Sequence, residues 1–284
     1  EVLNERIFLI EMPITDTWAR DHGAITVETD NGYAIYDFMF NGWGLKFAAD
    51  KDNLITGNLW KQGVFQASSL VIPDLVLEGG SIESDGKGTV LTTSNCLLSP
   101  NRNPHFSRAE IEQKIKDLFG LQRLLWLESG HLEGDDTDAH IDTVARFCDE
   151  HTIAYVQCTD EQEVHYESLR NMEAELQQFR TADKEPYRLI PLPMADAVYA
   201  QDDQRRLPAT YANFLIMNEV VLMPTYGLPQ DELAIAQLQQ AYADRKVIGV
   251  DCRALLLQHG SLHCITMQYP KGSICFDTLK TLNQ

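Results

Sequence analysis

The length of 284 residues allows two domains, at about 150 residues each, or one large α/β domain. Hydrophobic residues make up 44% of the chain and charged residues 23%, which excludes a disordered, collagen-like or coiled-coil protein. The net charge, 23 − 42 = −19, argues against a nucleic-acid partner, and no stretch approaches the ~18 unbroken apolar residues of a membrane helix, so no membrane partner is predicted.

The cysteines indicate a reducing compartment, and therefore a cytoplasmic protein. They are dispersed along a long chain and form no CxxC pair, which excludes a disulfide scaffold or a zinc ribbon. The sequence begins at Glu1, with no Met and no basic-then-apolar leader, so we expect the natural chain to start further upstream. The six are Cys96, Cys148, Cys158, Cys252, Cys264 and Cys275.

Strands dominate the predicted elements, because runs rich in β-branched and aromatic residues alternate with polar or Gly/Pro punctuation. In chain order they are 6–11, 24–28, 33–40, 75–78, 89–98, 123–128, 144–148, 152–158, 187–191, 213–217, 219–224, 246–250 and 263–268.

Three helices are predicted between these strands. The first lies within 107–120, where Ser107 and Glu110 have the spacing of a capping box and Gly120 marks the stop; the others lie within 160–180 and 231–243. Strict strand–helix alternation is absent, and Gly42-Trp43-Gly44 lacks a third glycine, so a doubly wound dinucleotide fold is not favoured. A recurring strand-strand-helix unit is compatible with this order.

Two short segments at predicted strand ends carry polar groups that chemistry can use. One is 18–23, with Trp18 and Asp21, for which the structural alternative is an Arg–Asp ion pair beside a packed Trp. The other is 77–81, where Glu78 precedes two glycines and a sharp turn. Its alternative is a plain hairpin turn.

The densest acidic stretch, 130–142, contains His140. In extended chain His140 and Asp142 point to the same side, and a carboxylate beside an imidazole makes a general acid/base pair. A zinc site with one further ligand and a solvated acidic loop are the alternatives. A calcium loop fails, because its sixth and twelfth positions, counted from Asp136, are Ile141 and Phe147.

Cys264 follows a Gly260-Ser261 loop and opens the predicted strand 263–268, which makes it a candidate nucleophile. Alternation along that strand directs the side chain of His263 away from Cys264, so we interpret His263 as structural. The apolar stretch 211–224 is predicted to form a core hairpin.

Six motifs carry a resemblance to a known family. In order along 18–268 they are WARDHG, LEGGS, SPNRNP, DDTDAHIDTVARF, YANFLIMNEVVLMPTYG and HCITMQ. Together they resemble the agmatine deiminase / bacterial-type peptidyl-arginine deiminase family. The resemblance implies an α/β fold, the pentein propeller, with pseudo-fivefold strand-strand-helix-strand units around a central active site. It also implies one catalytic deiminase domain over 1–284, preceded in the family by a further segment.

The resemblance implies a role for each matched residue. Cys264 attacks the guanidinium carbon as a thiolate, which the bound cation favours; His140 acts as acid and then base, and Glu78 orients it. Asp21 and Asp142 hold the guanidinium nitrogens. The substrate also meets Trp18, as a pocket wall, and the carboxylate Asp136. Neither a metal nor an organic cofactor is implied.

Two departures from the family pattern concern the distal end of the substrate. The family carries a glycine run before HCIT, whereas 258–262 holds one glycine, and Ala139 precedes His140.

The expected reaction converts agmatine to N-carbamoylputrescine, consistent with a polyamine-pathway hydrolase. Deimination of free or peptidyl arginine is the alternative, followed by amidinotransfer, a non-catalytic binding protein and a zinc hydrolase. The partner is a small cationic guanidino compound, and a homodimer remains open.

Overall fold

The computed structural model describes residues 7–282. The chain forms two compact units, the first comprising Glu1–Gly79 and Met267–Gln284, the second Gly80–Thr266. Within 7–282 no helix combines the length and apolar character that crossing a membrane requires. All six cysteines fall in this range and are free thiols.

The first unit contains one mixed three-stranded sheet. Strands β1 (Ile25–Thr29) and β2 (Gly32–Tyr36) form an antiparallel hairpin, and β3 (Ser69–Val71) lies parallel to β2. Its helical segments are Ala19–His22, Gly42–Leu45, Ile55–Lys61 and Phe276–Leu282, with a 3₁₀ turn at Asp52–Leu54. Ile35 is fully buried and packs with Ala24 and Phe65 in the core of this unit.

The second unit repeats the same sheet pattern three times. The first sheet consists of β4 (Ile82–Ser84), β5 (Thr89–Thr93) and β6 (Arg123–Leu127), and the second of β7 (Ala145–Asp149), β8 (Thr152–Gln157) and β9 (Arg188–Pro193). A short antiparallel pair follows, β10 (Val198–Tyr199) and β11 (Arg206–Leu207). The third sheet consists of β12 (Leu215–Ile216), β13 (Val220–Thr225) and β14 (Lys246–Asp251). In each, the first two strands are antiparallel and the third lies parallel to the second.

In each of the four three-stranded sheets, the crossover that connects the two parallel strands contains a helix. In the second unit these helices are Arg108–Phe119, Tyr166–Gln178 and Asp231–Gln239, and Ile55–Lys61 takes the same place in the first. The strand-strand-helix-strand unit therefore occurs four times within residues 7–282. The fold is mixed α/β, and the fivefold propeller arrangement stays a prediction.

Local sequence signals set the ends of these helices. The capping box of Ser107 and Glu110 is present, and Gly120 ends the helix with φ +65°. The helix Tyr166–Gln178 buries Leu169, Met172 and Leu176 on one face. The β5 strand ends at Thr93, earlier than predicted, because the Thr93 hydroxyl accepts from the Cys96 N–H and starts a helix at Ser94–Leu97.

Three strand predictions are wrong. Residue 6 lies outside the described residues, and 7–11 is irregular. Residues 75–78 make only a bridge from Val76 to Met39. Residues 262–265 form a turn, in which the Thr266 N–H donates to the His263 carbonyl. The Asn213 side-chain oxygen accepts from the N–H groups of His263 and Cys264, so these two donors need no neighbouring strand.

Candidate active site

Cys264 lies half-buried in this turn of the second unit. Its Sγ is 3.4 Å from Asn213 Oδ1 and 4.0 Å from Asp142 Oδ2. A sulfur placed between an amide oxygen and a carboxylate is suited to meet a cation that the same carboxylate attracts. The prediction that Cys264 opens a strand is wrong, but the turn places its thiol beside Asp142, the residue matched by the family resemblance.

Asn213 holds the turn in place and was missed as a functional residue. Its Oδ1 accepts from the backbone N–H of His263 at 2.9 Å and of Cys264 at 3.2 Å, and its Nδ2 donates to the Asp142 carbonyl at 3.2 Å. One fully buried amide thus ties the turn that carries Cys264 to the Asp142 segment. The available signal was its position: a polar residue inside the apolar stretch 211–224 needs buried partners.

Asp142 is fully buried and lies in the 3₁₀ turn Ile141–Thr143, so it does not open an extended run. The premise that alternation aligns His140 with Asp142 is therefore wrong, although both side chains are buried. His263 Nδ1 is 2.8 Å from Asp142 Oδ2. The expectation that His263 points away is also wrong, because it rested on a strand that does not form.

Behind His263 lies a buried ion pair. Arg146 Nη2 is 3.2 Å from His263 Nε2, and Arg146 Nε donates to Glu83 Oε2 at 2.7 Å. Burial by itself lowers the pKa of Arg146, but Glu83 and Asp142 more than offset it, so the pKa is raised and the guanidinium stays charged. Counted in their ordinary charge states, Glu83, Arg146 and Asp142 together carry one net negative charge.

The acidic loop before His140 is ordered by its own side chains. The Asp135 carboxylate accepts from the N–H of Thr137 at 3.0 Å and of Ala139 at 2.7 Å, so Asp135 is a loop-capping residue and not a solvated one. Asp138 and Ala139 both have left-handed φ, +65° and +67°. Arg102, whose side chain is buried, pairs with Asp138 at 2.6 Å. This loop delivers His140, which is 1% exposed.

Asp136, in the same loop, faces the segment that precedes Cys264. His259 Nδ1 lies 3.1 Å from Asp136 Oδ2, and the His259 side chain is 16% exposed against 40% for Asp136. His259 also has φ +69°, a conformation that glycine adopts more readily. The pair joins the loop that leads to Cys264 with the loop that leads to His140.

The first unit contains the remaining predicted residues. Trp18 immediately precedes the helical turn Ala19–His22, and Asp21 lies within it; both side chains are buried. Asp21 Oδ2 accepts from Trp43 Nε1 at 2.9 Å, and Trp43 packs edge-on against Phe40. Arg20 points its guanidinium to the Gln268 side-chain oxygen and to Met267 Sδ. The carboxylate of Asp21 is therefore oriented by an indole N–H.

Glu78 is fully buried in the first unit and precedes a close backbone contact. A Cβ at Gly79 would lie 2.2 Å from the Arg20 carbonyl oxygen, so only glycine fits there. This contact packs the Glu78 segment against the segment that carries Asp21. Residues 79–81 form a 3₁₀ turn, which contradicts the hairpin alternative.

Two other cysteines have the properties of structural thiols. Burial raises the pKa of Cys148 to about 12 and also raises the pKa of Cys252. Neither is suited to form a thiolate near neutral pH, which distinguishes them from a nucleophile.

A profile of the Porphyromonas-type peptidyl-arginine deiminase family matches residues 1–270. The chain belongs to this family. A relative from Marinomonas sp. assigned as an agmatine deiminase is 35% identical over 290 aligned residues, which cover 95% of this chain and 78% of the relative. Membership of this deiminase family confirms the resemblance seen in the six motifs.

Solved structures of deiminases are similar over most of the chain. A structure from Porphyromonas gingivalis assigned as an arginine deiminase is 53% identical, with a TM-score of 0.91 over 94% of this chain and 78% of that one. A cysteine-to-serine variant of C. jejuni agmatine deiminase with substrate bound is 41% identical, with a TM-score of 0.83 over 94% and 74%. An amidinotransferase from Microseira wollei, 12% identical with a TM-score of 0.53, shares the fold alone.

Proposed function

We propose that this deiminase-family chain hydrolyses the guanidinium group of agmatine, giving N-carbamoylputrescine and ammonia. The observation that carries the proposal is the position of Cys264 Sγ, 4.0 Å from a buried carboxylate of Asp142. The buried cluster of Glu83, Arg146 and Asp142 has one net negative charge, and a planar cation is the complementary ligand. The family match and the agmatine deiminases among the relatives support the same substrate class.

The first half-reaction forms a covalent intermediate. The Cys264 thiolate attacks the guanidinium carbon and forms a C–S bond. His140 transfers a proton to one nitrogen, the C–N bond breaks, and ammonia leaves. The product on the enzyme is a thiouronium cation. Both the substrate and this covalent intermediate are cations, so carboxylates stabilise them better than an oxyanion hole would.

Water completes the reaction. His140 takes a proton from the water as the oxygen attacks the thiouronium carbon. The C–S bond then breaks and its electron pair returns to sulfur. The remaining O–H proton passes to solvent as the neutral ureido product leaves. Every atom and proton is supplied by the substrate, one water, Cys264 and His140, so the step needs no metal and no organic cofactor.

The remaining roles follow the family resemblance. Asp142 and Asp21 bind guanidinium nitrogens, and Asp21 is held for this by the Trp43 indole. Glu78 orients His140, Trp18 contributes a wall, and Asp136 binds the ammonium at the far end of agmatine. Asn213 is added to this set, because its amide supports the backbone of Cys264.

Deimination of free or peptidyl arginine is the second candidate, and the contact between His259 and Asp136 favours it. An imidazole 3.1 Å from the Asp136 carboxylate competes with the ammonium of agmatine for that carboxylate. A substrate with a carboxylate or a peptide group at its far end does not need Asp136 and gains a donor from His259. The substitution His259→Gly should therefore raise kcat/KM for agmatine relative to arginine.

The decisive experiment compares ammonia release and product identity with agmatine, free arginine and an arginine peptide. Wild type should release ammonia and the ureido product, and Cys264→Ala should lose turnover by several orders of magnitude while it still binds the guanidinium. Cys148→Ala is the matched control and should keep near wild-type activity, because burial raises the pKa of that thiol to about 12. Substantial turnover by homogeneous Cys264→Ala would refute the mechanism.

A further inference from the structure

We infer that His263 is a positioning residue, a neutral imidazole protonated at Nδ1 that holds the Asp142 carboxylate, and that Arg146 sets this tautomer. The inference rests on the proposed function only where it assigns Asp142 to the guanidinium. Asp142 from the turn Ile141–Thr143 and Arg146 from β7 both face the imidazole, and Asn213 accepts the backbone N–H of His263.

Hydrogen-bond chemistry determines the position of the proton. A guanidinium has only donors, so His263 Nε2, 3.2 Å from Arg146 Nη2, must accept. The single proton of the neutral ring is then on Nδ1, which donates to Asp142 Oδ2 at 2.8 Å. A proton on Nε2 would point an N–H of His263 at an N–H of Arg146 and, in the imidazolium, would add a positive charge beside the guanidinium. The imidazolium form is therefore disfavoured.

Arg146 itself is fixed. Glu83 accepts from Nε at 2.7 Å, the Phe214 carbonyl accepts from Nη1 at 2.8 Å, and the guanidinium lies 4.9 Å from the centre of the Phe214 ring. Since the whole side chain is buried, it has no alternative solvent-facing position. The tautomer of His263 is thus determined by Glu83 through Arg146.

The consequence for catalysis is a fixed, ionised carboxylate next to the nucleophile. A neutral donor at Nδ1 restrains Asp142 without cancelling its charge, whereas an imidazolium would neutralise the site that attracts the guanidinium. His263 and His140 therefore have different tasks. His140 moves protons, and His263 keeps its proton and does not touch the reacting atoms.

The tautomer is tested directly by ¹⁵N NMR of the histidine-labelled wild-type protein. Of the eight histidines, His263 is identified by the signals that disappear in His263→Asn. Near neutral pH its Nδ1 should be protonated and its Nε2 unprotonated. A proton on Nε2, or an imidazolium, would overturn the inference. This measurement needs no turnover, so it decides the point even if agmatine and arginine are not substrates.

The positioning role is tested by two substitutions at His263. His263→Leu removes the donor to Asp142 and should lower kcat/KM about 10- to 100-fold, the effect of losing one charge-assisted hydrogen bond. His263→Asn places an amide N–H near the former Nδ1 and should recover about tenfold of that loss. With its NH₂ at the former Nδ1 position, the Asn oxygen occupies the place of the ring Cδ2 and not that of Nε2. Arg146 then has no acceptor at the Nε2 position, so incomplete recovery is expected.

The matched control is His165→Leu, which removes another buried histidine of the second unit, 1% exposed and bonded to the Glu133 N–H and to Glu163. It should leave kcat/KM per folded molecule within about twofold of wild type. If His263→Asn is no better than a folded His263→Leu, or if His263→Leu is fully active, the positioning role is wrong. If Cys264→Ala loses activity in the same assays, the proposed function stands regardless.

Discussion

Replacing Asp142 by asparagine tests the recognition step with little change of shape. Asp142 is fully buried, and its Oδ2 accepts the Nδ1–H of His263 at 2.8 Å. An asparagine must turn its amide oxygen toward that donor, because the opposite orientation opposes two N–H groups. The amide NH₂ is then presented where the guanidinium also offers N–H groups, so a charge-assisted hydrogen bond is lost and a repulsive contact replaces it.

The size of the effect follows from burial. Removing one partner of a buried charged pair costs about 3–5 kcal/mol, which corresponds to a loss in kcat/KM of about 10² to 10⁴. The control is Asp244→Asn, whose carboxylate is 75% exposed and 3.8 Å from Arg245. Its effect should stay within about 0.5 kcal/mol.

The assay measures kcat/KM for agmatine and for arginine in both variants, with thermal melts to confirm folding. If the folded Asp142→Asn protein loses no more activity than Asp244→Asn, Asp142 does not bind the guanidinium. The negative charge of the chain would then act only as a diffuse field, and the site assignment would be refuted.

Four further outcomes are expected. Asp21→Asn should reduce kcat/KM as Asp142→Asn does, and a loss below tenfold in the folded variant would remove Asp21 from recognition. Asn213→Ala should release the turn that carries Cys264 and so lower kcat. When the same substitution is made in the inactive Cys264→Ala protein, substrate affinity should fall by a smaller factor than kcat does, and equal factors would contradict this. Prolonged treatment with chelators should leave activity unchanged, and loss that zinc restores would favour the metal alternative. The hydrogen bond from Arg206 lowers the pKa of Glu163 from 4.5 to about 2. The ionised Glu163 therefore stabilises the fold fully above pH 4.5, and this stabilisation is lost as the pH falls toward 2. Glu163→Gln should lower the Tm at neutral pH, and the difference in Tm from wild type should shrink in acid.

The sequence by itself predicts most of the repeating units. Helix ends follow local chemistry, as the Ser107 capping box shows, and alternating or helical spacing locates elements such as β7, β8 and Tyr166–Gln178. The motifs also identify Cys264, His140 and Asp142 as candidates. These features are accessible because each depends on residues that are near one another in the chain.

Tertiary structure alone decides the conformation around Cys264. The turn at His263 and Cys264 forms because Asn213, 50 and 51 positions earlier, supplies the acceptor for their N–H groups. Asp142 is 121 positions from His263, and Glu83 is 63 from Arg146. Periodicity cannot report such pairings, because each buried polar group needs a partner but the fold determines which one lies within reach.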